Sequence, residues 1–453
     1  MHRRIVLALV CALGLRAQFH AGAGSRLISP DVQDYSKAKV YLAGFDKDRK
    51  ATGIHDPLYA RCVALGVGPA KASPPLLICG IDSIGLFWDD VLRIRKALTS
   101  RKVVYKGLIV AASHSHQTPD TMGLWGPGEK TGIDEKYTSL VVERTADAAV
   151  EAIRRMVPAR ARVVTVRSPE LDRFIDDDRP PKRHDSDVVA LEALDAKSGK
   201  PLAVLLNWAN HPEALGSKNK LVSADYVARL RTRIEELHLG AVAVFANGAL
   251  GGMQSPLGAE VPGGLKDGTF EKADYIGARV ADMTCAALDK AADVEIGKVE
   301  YREKMIRIPV SNAGFKVAME KNIYNGRKAW NPDGTTTTVV GMFRLGTVLE
   351  GATVPGELYP ELSMGGIERY RGADFPDAAL EPAIKGSLMR APHRMLLGLA
   401  NDEVGYIIPK AEWDDAAPWL NGAKKRWYGE VNSVGPEAAP LIAKALAELF
   451  GAN

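Results

Sequence analysis

Two histidines follow a strongly apolar run in the segment GLIVAASHSHQTPD, residues 107–120. The small and branched residues at 108–112 predict a buried strand that stops at Ser113. Alternate side chains of an extended chain point to the same face, so His114 and His116 are expected to converge on one ion or substrate. Two imidazoles in register favour metal chemistry, whereas a pair of ordinary loop histidines is the alternative, because short H-x-H patterns also occur by chance.

Three further side chains that can bind metal also stand where predicted strands end. His211 lies in NWANHPEAL, after the second strand of a hairpin predicted over Val188–Asp195 and Pro201–Trp208. Glu357 lies in TVPGELYPEL, at a strand-to-helix junction where the helix dipole alone would also favour an acid. Tyr406 lies in NDEVGYIIP, either as a site residue or as a packed aromatic. Strand ends therefore carry most of the candidate chemistry.

A glycine-rich turn, NGALGGMQSP, follows the predicted strand Ala241–Ala246. Such a turn lets the backbone approach a ligand, and N–H groups near Gly251 and Gly252 can hold a developing anion. Ser255 lies at its end and is a candidate catalytic hydroxyl. The turn matches neither a P-loop nor a dinucleotide-binding fingerprint, and a flexible surface loop is the alternative.

The elements that must position these side chains alternate along the chain. Predicted strands at 59–66 and 75–80 precede an apolar helix over Phe87–Leu98, the strand before His114, and an amphipathic helix over Glu135–Met156. This order predicts an α/β fold, a layered mixed β-sheet with helices. No internal repeat or long linker divides the chain, so a single domain is expected over residues 24–453.

The N-terminus has the layout of a secretory signal. Two arginines precede the apolar run Ile5–Leu15, and the small residues AGA at 21–23 resemble a cleavage site. Cleavage near Ala23 would leave residues 24–453 as a secreted or periplasmic protein. The apolar run is shorter than the ~20 residues of a spanning helix, and no later segment qualifies. We therefore expect no transmembrane segment in the mature chain.

Composition and charge exclude several classes of protein. The chain has 453 residues, of which 46% are apolar and 25% charged, an ordinary globular composition. Without the three arginines before residue 24, 56 basic residues face 55 acidic ones, and the formal charge falls from +4 to +1. Such a balance attracts neither nucleic acid nor anionic lipid. Composition does not determine the oligomeric state.

Three cysteines remain after the predicted signal, too few for a disulfide framework. Cys62 and Cys79 lie in two strand-like runs joined by a turn, so they either pair across a hairpin or serve as small buried hydrophobic residues.

Four of these segments, in this order, resemble the zinc-binding segments of the neutral/alkaline, non-lysosomal ceramidase family: SHSHQTP, NWANHPEAL, PGELYPEL and GLANDEVGYIIP. The resemblance covers most of the mature chain and also includes IHDPLYAR and WYGEVNSVGPEA. It implies a ceramidase-like catalytic domain with one Zn²⁺ held by His114, His211, Glu357 and Tyr406. It further implies that His116 lines the site without being a primary ligand, and that Arg179 lies near the substrate.

Two departures separate the chain from the family's ceramidases. Those enzymes carry G-D-x-S-P-N where this chain has GGMQSP, which leaves open whether Ser255 is the catalytic serine. The resemblance also ends soon after the predicted closing helix, so we expect the catalytic domain of the bacterial enzymes without their C-terminal immunoglobulin-like domain. The expected substrate is therefore an N-acyl amide, either a lipid or a smaller soluble molecule, and not necessarily ceramide.

Three functions are consistent with the sequence. The first is a secreted zinc amidase in which His116 relays a proton and the N–H groups near Gly251 and Gly252 hold the oxyanion. The second is a two-metal amidohydrolase, which needs further histidines at strand ends, where His211 alone is well placed. The third is a binding protein that retains the metal without turnover.

Overall fold

A large mixed β-sheet lies at the centre of the protein, and the computed structural model describes residues 18–32, 39–177 and 179–451. The strands of all sheets are β1 (Phe19–Leu27), β2 (Gly53–Ile54), β3 (Tyr59–Val67), β4 (Leu76–Ile81), β5 (Gly107–Ala112), β6 (Val157–Val166), β7 (Val188–Asp195), β8 (Pro201–Trp208), β9 (Leu221–Val222), β10 (Val242–Asn247), β11 (Val299–Pro309), β12 (Thr335–Leu345), β13 (Leu349–Thr353), β14 (Glu357–Leu358), β15 (His393–Leu397) and β16 (Tyr406–Ile407).

The α-helices that accompany these strands are α1 (Trp88–Ser100), α2 (Glu135–Arg154), α3 (Pro169–Asp172), α4 (Tyr226–Leu237), α5 (Phe270–Lys290), α6 (Ala313–Glu320), α7 (Pro360–Met364), α8 (Tyr428–Val431) and α9 (Ala438–Gly451). A π-helical turn covers Ile384–Leu388, and 3-10 turns cover Lys410–Glu412 and Leu420–Gly422. Among the described residues, no helix combines the length and the apolar character needed to cross a membrane.

The eight-stranded sheet has the order β10-β8-β7-β6-β1-β3-β4-β5. The pairs β10–β8 and β4–β5 are parallel, and the other neighbours are antiparallel. A second sheet has the order β11-β12-β13-β15, and β14 pairs with β16 in a short parallel ladder. The predicted α/β class, a layered mixed sheet with helices, is confirmed.

The large sheet is curled, so that strand β10 at one edge packs against β4 near the other. A Cβ on Gly80 of β4 would lie only 2.2 Å from the carbonyl oxygen of Phe245 in β10, and only glycine allows so close an approach. The segment after β15 fills the seam between the edges. Its residue Ala400 pairs with Ala111 of β5, and the N–H of Gly398 donates to the last carbonyl of β10 at 3.0 Å. The ends of β5 and β10 are thereby joined.

A buried asparagine at the end of β10 ties the neighbouring strand ends together. The Nδ2 of Asn247 donates to the carbonyls of Ser113 and Asn210, both at 2.9 Å. Its Oδ1 accepts the N–H groups of Asn210 at 3.2 Å and Gly248 at 2.9 Å. Buried amides are costly unless paired, so this fully bonded side chain fixes the loops that carry His114 and His211.

Strand β1 lies in the middle of the large sheet, between β6 and β3. Residues 19–23 are buried, and a Cβ on Gly22 or Gly24 would lie 2.3 or 2.2 Å from a carbonyl oxygen of α2. The small residues of this stretch therefore allow helix α2 to pack closely on the sheet. This placement disagrees with the predicted cleavage near Ala23, which would cut through a central strand. The rest of the predicted signal, residues 1–17, lies outside the described residues.

Cys62 and Cys79 form a disulfide between directly opposed positions of β3 and β4. Of the two alternatives left open by the sequence, the structure therefore has the paired one. Cys285 is a buried free cysteine on α5.

Candidate metal site

Three buried imidazoles meet where β5 and β8 end. The ligand nitrogens of His114, His116 and His211 all lie within 4.8 Å of one another. Strand β5 ends at Ala112, and His114 adopts a left-handed conformation with φ of 68°. The argument from alternating side chains in an extended strand is therefore wrong, although the rings of His114 and His116 do converge, with centroids 5.0 Å apart.

Backbone carbonyls fix the orientation of two of these rings. The Nδ1 of His114 lies 2.6 Å from the carbonyl oxygen of Ile84, and the Nδ1 of His211 lies 2.6 Å from that of Gln254. Because a carbonyl oxygen only accepts hydrogen bonds, each Nδ1 carries the hydrogen. With the hydrogen on Nδ1, Nε2 is the ring nitrogen that can bind a metal ion, as is usual around metal-ligating histidines. At His211 this requires loss of the proton that its Nε2 shares with Glu357.

The carboxylate of Glu357 faces both of these Nε2 atoms. Its oxygens lie 3.1 Å from Nε2 of His211 and 3.6 Å from Nε2 of His114. In a tetrahedral zinc site with bonds of ~2.0–2.1 Å, neighbouring donor atoms are about 3.3 Å apart. The donor set of two imidazoles and a carboxylate therefore fits a zinc ion in both chemistry and spacing.

The charges of these groups depend on one another. Burial lowers the pKa of His114 to about 3, so its ring is neutral. Burial acts in the same direction on His211, but the hydrogen bond with Glu357 and the charges of Glu213 and Glu357 raise its pKa overall. Burial raises the pKa of Glu357, whereas the two histidines outweigh it and lower the pKa overall. A metal ion would thus compete with a proton at His211.

Tyr406 reaches the same point because β14 and β16 pair Glu357 directly with it. Its hydroxyl hydrogen-bonds Glu357 and lies 2.9 Å from Sδ of Met253. Burial and the charge of Glu357 raise the pKa of Tyr406 well above its ordinary value. The phenol is therefore protonated and donates to Glu357.

His116 has a different neighbour. Its Nδ1 lies 3.0 Å from Oε2 of Glu213, which also hydrogen-bonds the side chain of Ser255. Burial raises the pKa of Glu213, but the charge of His116 and its hydrogen bond lower it to about 2, so Glu213 is ionised. Sequence reasoning missed Glu213, although it stands only two positions after His211.

The structure argues against the oxyanion role predicted for the glycine-rich turn. The N–H of Gly251 already donates to the carbonyl of Leu358 at 2.8 Å. A Cβ on Gly252 would lie 3.2 Å from a carboxylate oxygen of Asp177, so the local charge has the wrong sign for holding an anion. The reason for the error is that both partners come from distant parts of the chain.

The turn instead supports His211. The carbonyl of Gln254 accepts both the backbone N–H of His211 at 2.9 Å and its Nδ1–H at 2.6 Å. Ser255 pairs through its backbone with Asp176, and its Oγ accepts the N–H of Leu257 at 3.0 Å. Its hydroxyl faces Glu213 and does not line the cavity beside the site.

Arg179 is buried in an internal network and does not line the cavity. Its Nη1 donates to Glu430 at 2.8 Å and to the hydroxyl of Tyr359 at 3.4 Å, and another guanidinium nitrogen donates to the carbonyl of Glu412. Tyr359 packs edge-on against Tyr406, with centroids 6.2 Å apart. The structure thus gives Arg179 a supporting position behind the site instead of the predicted position near substrate.

A cavity of about 90 Å³ opens beside His114, His116 and Glu357. Aromatic side chains form much of its wall: Phe87, Trp125, Phe315, Tyr324, Tyr406 and Tyr428. A mostly apolar cavity that ends at a few convergent polar groups is typical of a small-molecule site.

The two histidines that follow His211 in the chain, His238 and His393, lie away from the histidine cluster. Nδ1 of His238 is 2.5 Å from a carboxylate oxygen of Glu192, and Nδ1 of His393 is 2.9 Å from Oγ1 of Thr165. Within residues 18–32, 39–177 and 179–451, only one histidine-containing group can hold a metal ion. The two-metal alternative therefore gains no support from the described residues.

Comparisons with known proteins agree in fold. No family model matches the chain, and no curated protein matches it either. The crystal structure of neutral ceramidase from Pseudomonas aeruginosa matches with a TM-score of 0.70 and 17% identity, over 96% of this chain and 75% of that one. A structure described as ceramidase complexed with C2 matches with the same values. The chain therefore has the fold of the neutral ceramidases.

Proposed function

We propose that the protein is a zinc-dependent hydrolase that cleaves an N-acyl amide bond. The observation that carries this proposal is the convergence of Nε2 of His114, Nε2 of His211 and the carboxylate of Glu357 beside an apolar cavity. Such nitrogen and oxygen donors suit zinc, which can expand its coordination to five, so that Tyr406 and a water could both be bound. The fold shared with neutral ceramidases, together with the resemblance of the four segments, favours an N-acyl amide as substrate class.

The residues divide into ligands and a proton relay. We assign His114, His211 and Glu357 as ligands with Tyr406 as the fourth, because two rings are fixed by carbonyls with Nε2 towards Glu357. Zinc bound there would polarise the amide carbonyl and lower the pKa of a bound water from about 15.7 to about 7.

His116 is the proposed proton relay. The ionised carboxylate of Glu213 lies 3.0 Å from its Nδ1, where it can stabilise the charge that the ring acquires on accepting a proton. The Nε2 atom can then accept a proton from the attacking water and pass it to the leaving amine. Glu213 thus plays the part of the group that orients a catalytic base.

The protein is proposed to act outside the cytoplasm on a lipid or small soluble N-acyl amide. The signal-like N-terminus predicts export, and the Cys62–Cys79 disulfide supports an oxidising compartment, since such bonds are rare in the cytosol.

Metal analysis followed by an acyl amide screen tests this proposal. We expect one zinc per chain, hydrolysis that a chelator abolishes and added zinc restores, and a rate that falls below pH ~7. His393→Ala is the control, because this histidine bonds Thr165 away from the cluster. Fully zinc-loaded protein that cleaves no acyl amide between pH ~6 and ~9 would favour the binding-protein alternative.

A further inference from the structure

A second acid lines the cavity and has no role in the proposed metal site. Glu403 is 5% exposed, and its Oε1 accepts the N–H of Gly405 at 2.8 Å. Its Oε2 is buried and has no hydrogen-bond partner among the described residues. Buried carboxyl oxygens are normally bonded, so an Oε2 without a partner in a cavity wall is available to a polar atom of a ligand.

The surrounding backbone holds Glu403 in place. The preceding residue, Asp402, accepts the N–H of Trp88 at 2.9 Å and pairs with Lys328. Lys328 is the cation in the cavity wall, and it is thus already engaged. The positive φ of Gly405, 79°, turns the chain two residues after Glu403. These contacts fix the backbone on both sides of Glu403.

We propose that Glu403 determines substrate specificity by hydrogen-bonding a hydroxyl group of the substrate in this cavity. The inference rests on the proposed function and extends it to the class of amide that is preferred. A hydroxyl can donate to a carboxylate or accept from a carboxylic acid, so it pairs with Glu403 in either form.

The rest of the wall explains why one hydroxyl would be selective. Apart from Glu403, Lys328, Thr336 and Asn432, the side chains around the cavity beyond the metal site are apolar or aromatic. An amide without the hydroxyl would leave Oε2 shielded from water and without a hydrogen bond. Sites built around a buried polar group reject such analogues strongly.

Matched substrate pairs test the inference. One pair differs in a hydroxyl on the amine side, N-dodecanoyl-2-aminoethanol against N-dodecanoyl-propylamine, and the other in a hydroxyl on the second carbon of the acyl chain. We expect the wild type to prefer the hydroxylated member of at least one pair by about tenfold or more in kcat/KM, mainly through KM. Glu403→Leu should abolish this preference, and Glu403→Gln, which can still donate and accept, should retain most of it.

Glu381→Leu is the matched control. Glu381 is also buried, at 7% exposure, with an Oε2 that lacks a described partner, but it lies outside the cavity. The Glu381→Leu variant should leave the preference for the hydroxylated substrate unchanged. Zinc content and circular dichroism, measured on every variant, show that site and fold remain.

Two outcomes would overturn the inference: equal rates on both members of both pairs, or a preference that survives Glu403→Leu. Absence of turnover by zinc-loaded wild type would instead overturn the proposed function. In that case, calorimetric binding of the same pairs still tests Glu403, since equal affinities for both members would refute its role.

Discussion

Single residues of the site depend on backbone carbonyls as much as on one another. The carbonyls of Ile84 and Gln254 decide which nitrogen of His114 and His211 carries the hydrogen. His116 lacks such a carbonyl and faces Glu213 instead. In the proposed function, this difference distinguishes the two histidines assigned as ligands from the one assigned as proton relay.

Alanine substitutions of the three histidines should therefore have different effects. We expect His114→Ala and His211→Ala to lower zinc affinity by more than about tenfold, because the remaining donors cannot complete the shell. His116→Ala should retain zinc but lower kcat by about 10² to 10⁴. Zinc content after dialysis and kcat of the reloaded protein provide the measurements.

The control for these variants is again His393→Ala, which should match the wild type in both measurements. If His116→Ala lost zinc as fully as His114→Ala, the metal would be held by the three histidines instead of by Glu357 and Tyr406.

For single residues, the sequence predicts which side chains come together at the site more reliably than it predicts the partner of each side chain. His114, His211, Glu357 and Tyr406 follow strands whose ends meet, so their motifs bring them together. The partner of Arg179, Glu430, lies 251 positions away, and no local pattern reveals such a contact.

The burial of an acidic side chain is equally hard to predict from the sequence. Glu213 and Glu403 are buried although most acids are exposed, so only the structure could show that they face the site.

Among the elements, strand β14 is held in place by the glycine-rich turn. A Cβ on Gly251 would lie 2.6 Å from the carbonyl carbon of Leu358 and 2.7 Å from the carbonyl oxygen of Glu357. We therefore expect Gly251→Ala to displace β14, to lower the free energy of unfolding by about 1–3 kcal/mol and to weaken zinc binding. Urea denaturation and zinc titration measure the two effects.

Gly297→Ala is the matched control, since no neighbouring atom lies within 4 Å of its added Cβ. A Gly251→Ala protein as stable as the wild type, with unchanged zinc affinity, would show that the turn can yield and that packing is not its role.

In helix α7, directly after β14, a buried glutamate makes the stability of the folded protein depend on pH. Burial, together with the charge of Glu412, raises the pKa of Glu361 from 4.5 to about 8. The folded state thus binds this proton more tightly than the unfolded state. The contribution of Glu361 to stability is complete below pH ~4.5 and is lost as the pH rises through about 8.

Glu361→Gln should remove this dependence. Between pH ~5 and ~9, the wild type should lose on the order of a few kcal/mol more of its unfolding free energy than the variant. Urea denaturation at both values measures the difference, with Glu271→Gln, an exposed acid at the start of α5, as control. Identical pH profiles for wild type and Glu361→Gln would contradict the assignment.

For the whole molecule, the order of strands and helices could be predicted, whereas the closure of the sheet could not. The hairpin Val188–Asp195 and Pro201–Trp208 has the predicted bounds, because both strands are apolar runs bounded by turn residues. The curl depends on Gly80 meeting β10 across a long sequence separation. Strand β1 was missed because its small residues also resemble a signal cleavage site.

The position of β1 leads to the last prediction, that export processing ends before Phe19. Residues 19–23 pair with β3, and Phe19, Ala21 and Ala23 are buried at 6%, 0% and 4% exposure. Losing this apolar burial and the strand hydrogen bonds would cost on the order of 5 kcal/mol, comparable to the whole stability of many domains. A chain of residues 18–453 should fold with a cooperative thermal transition, whereas residues 24–453 should not, and intact mass should place the exported N-terminus at or before Phe19. Exported, folded and active protein that begins at Gly24 would contradict this and restore the cleavage near Ala23.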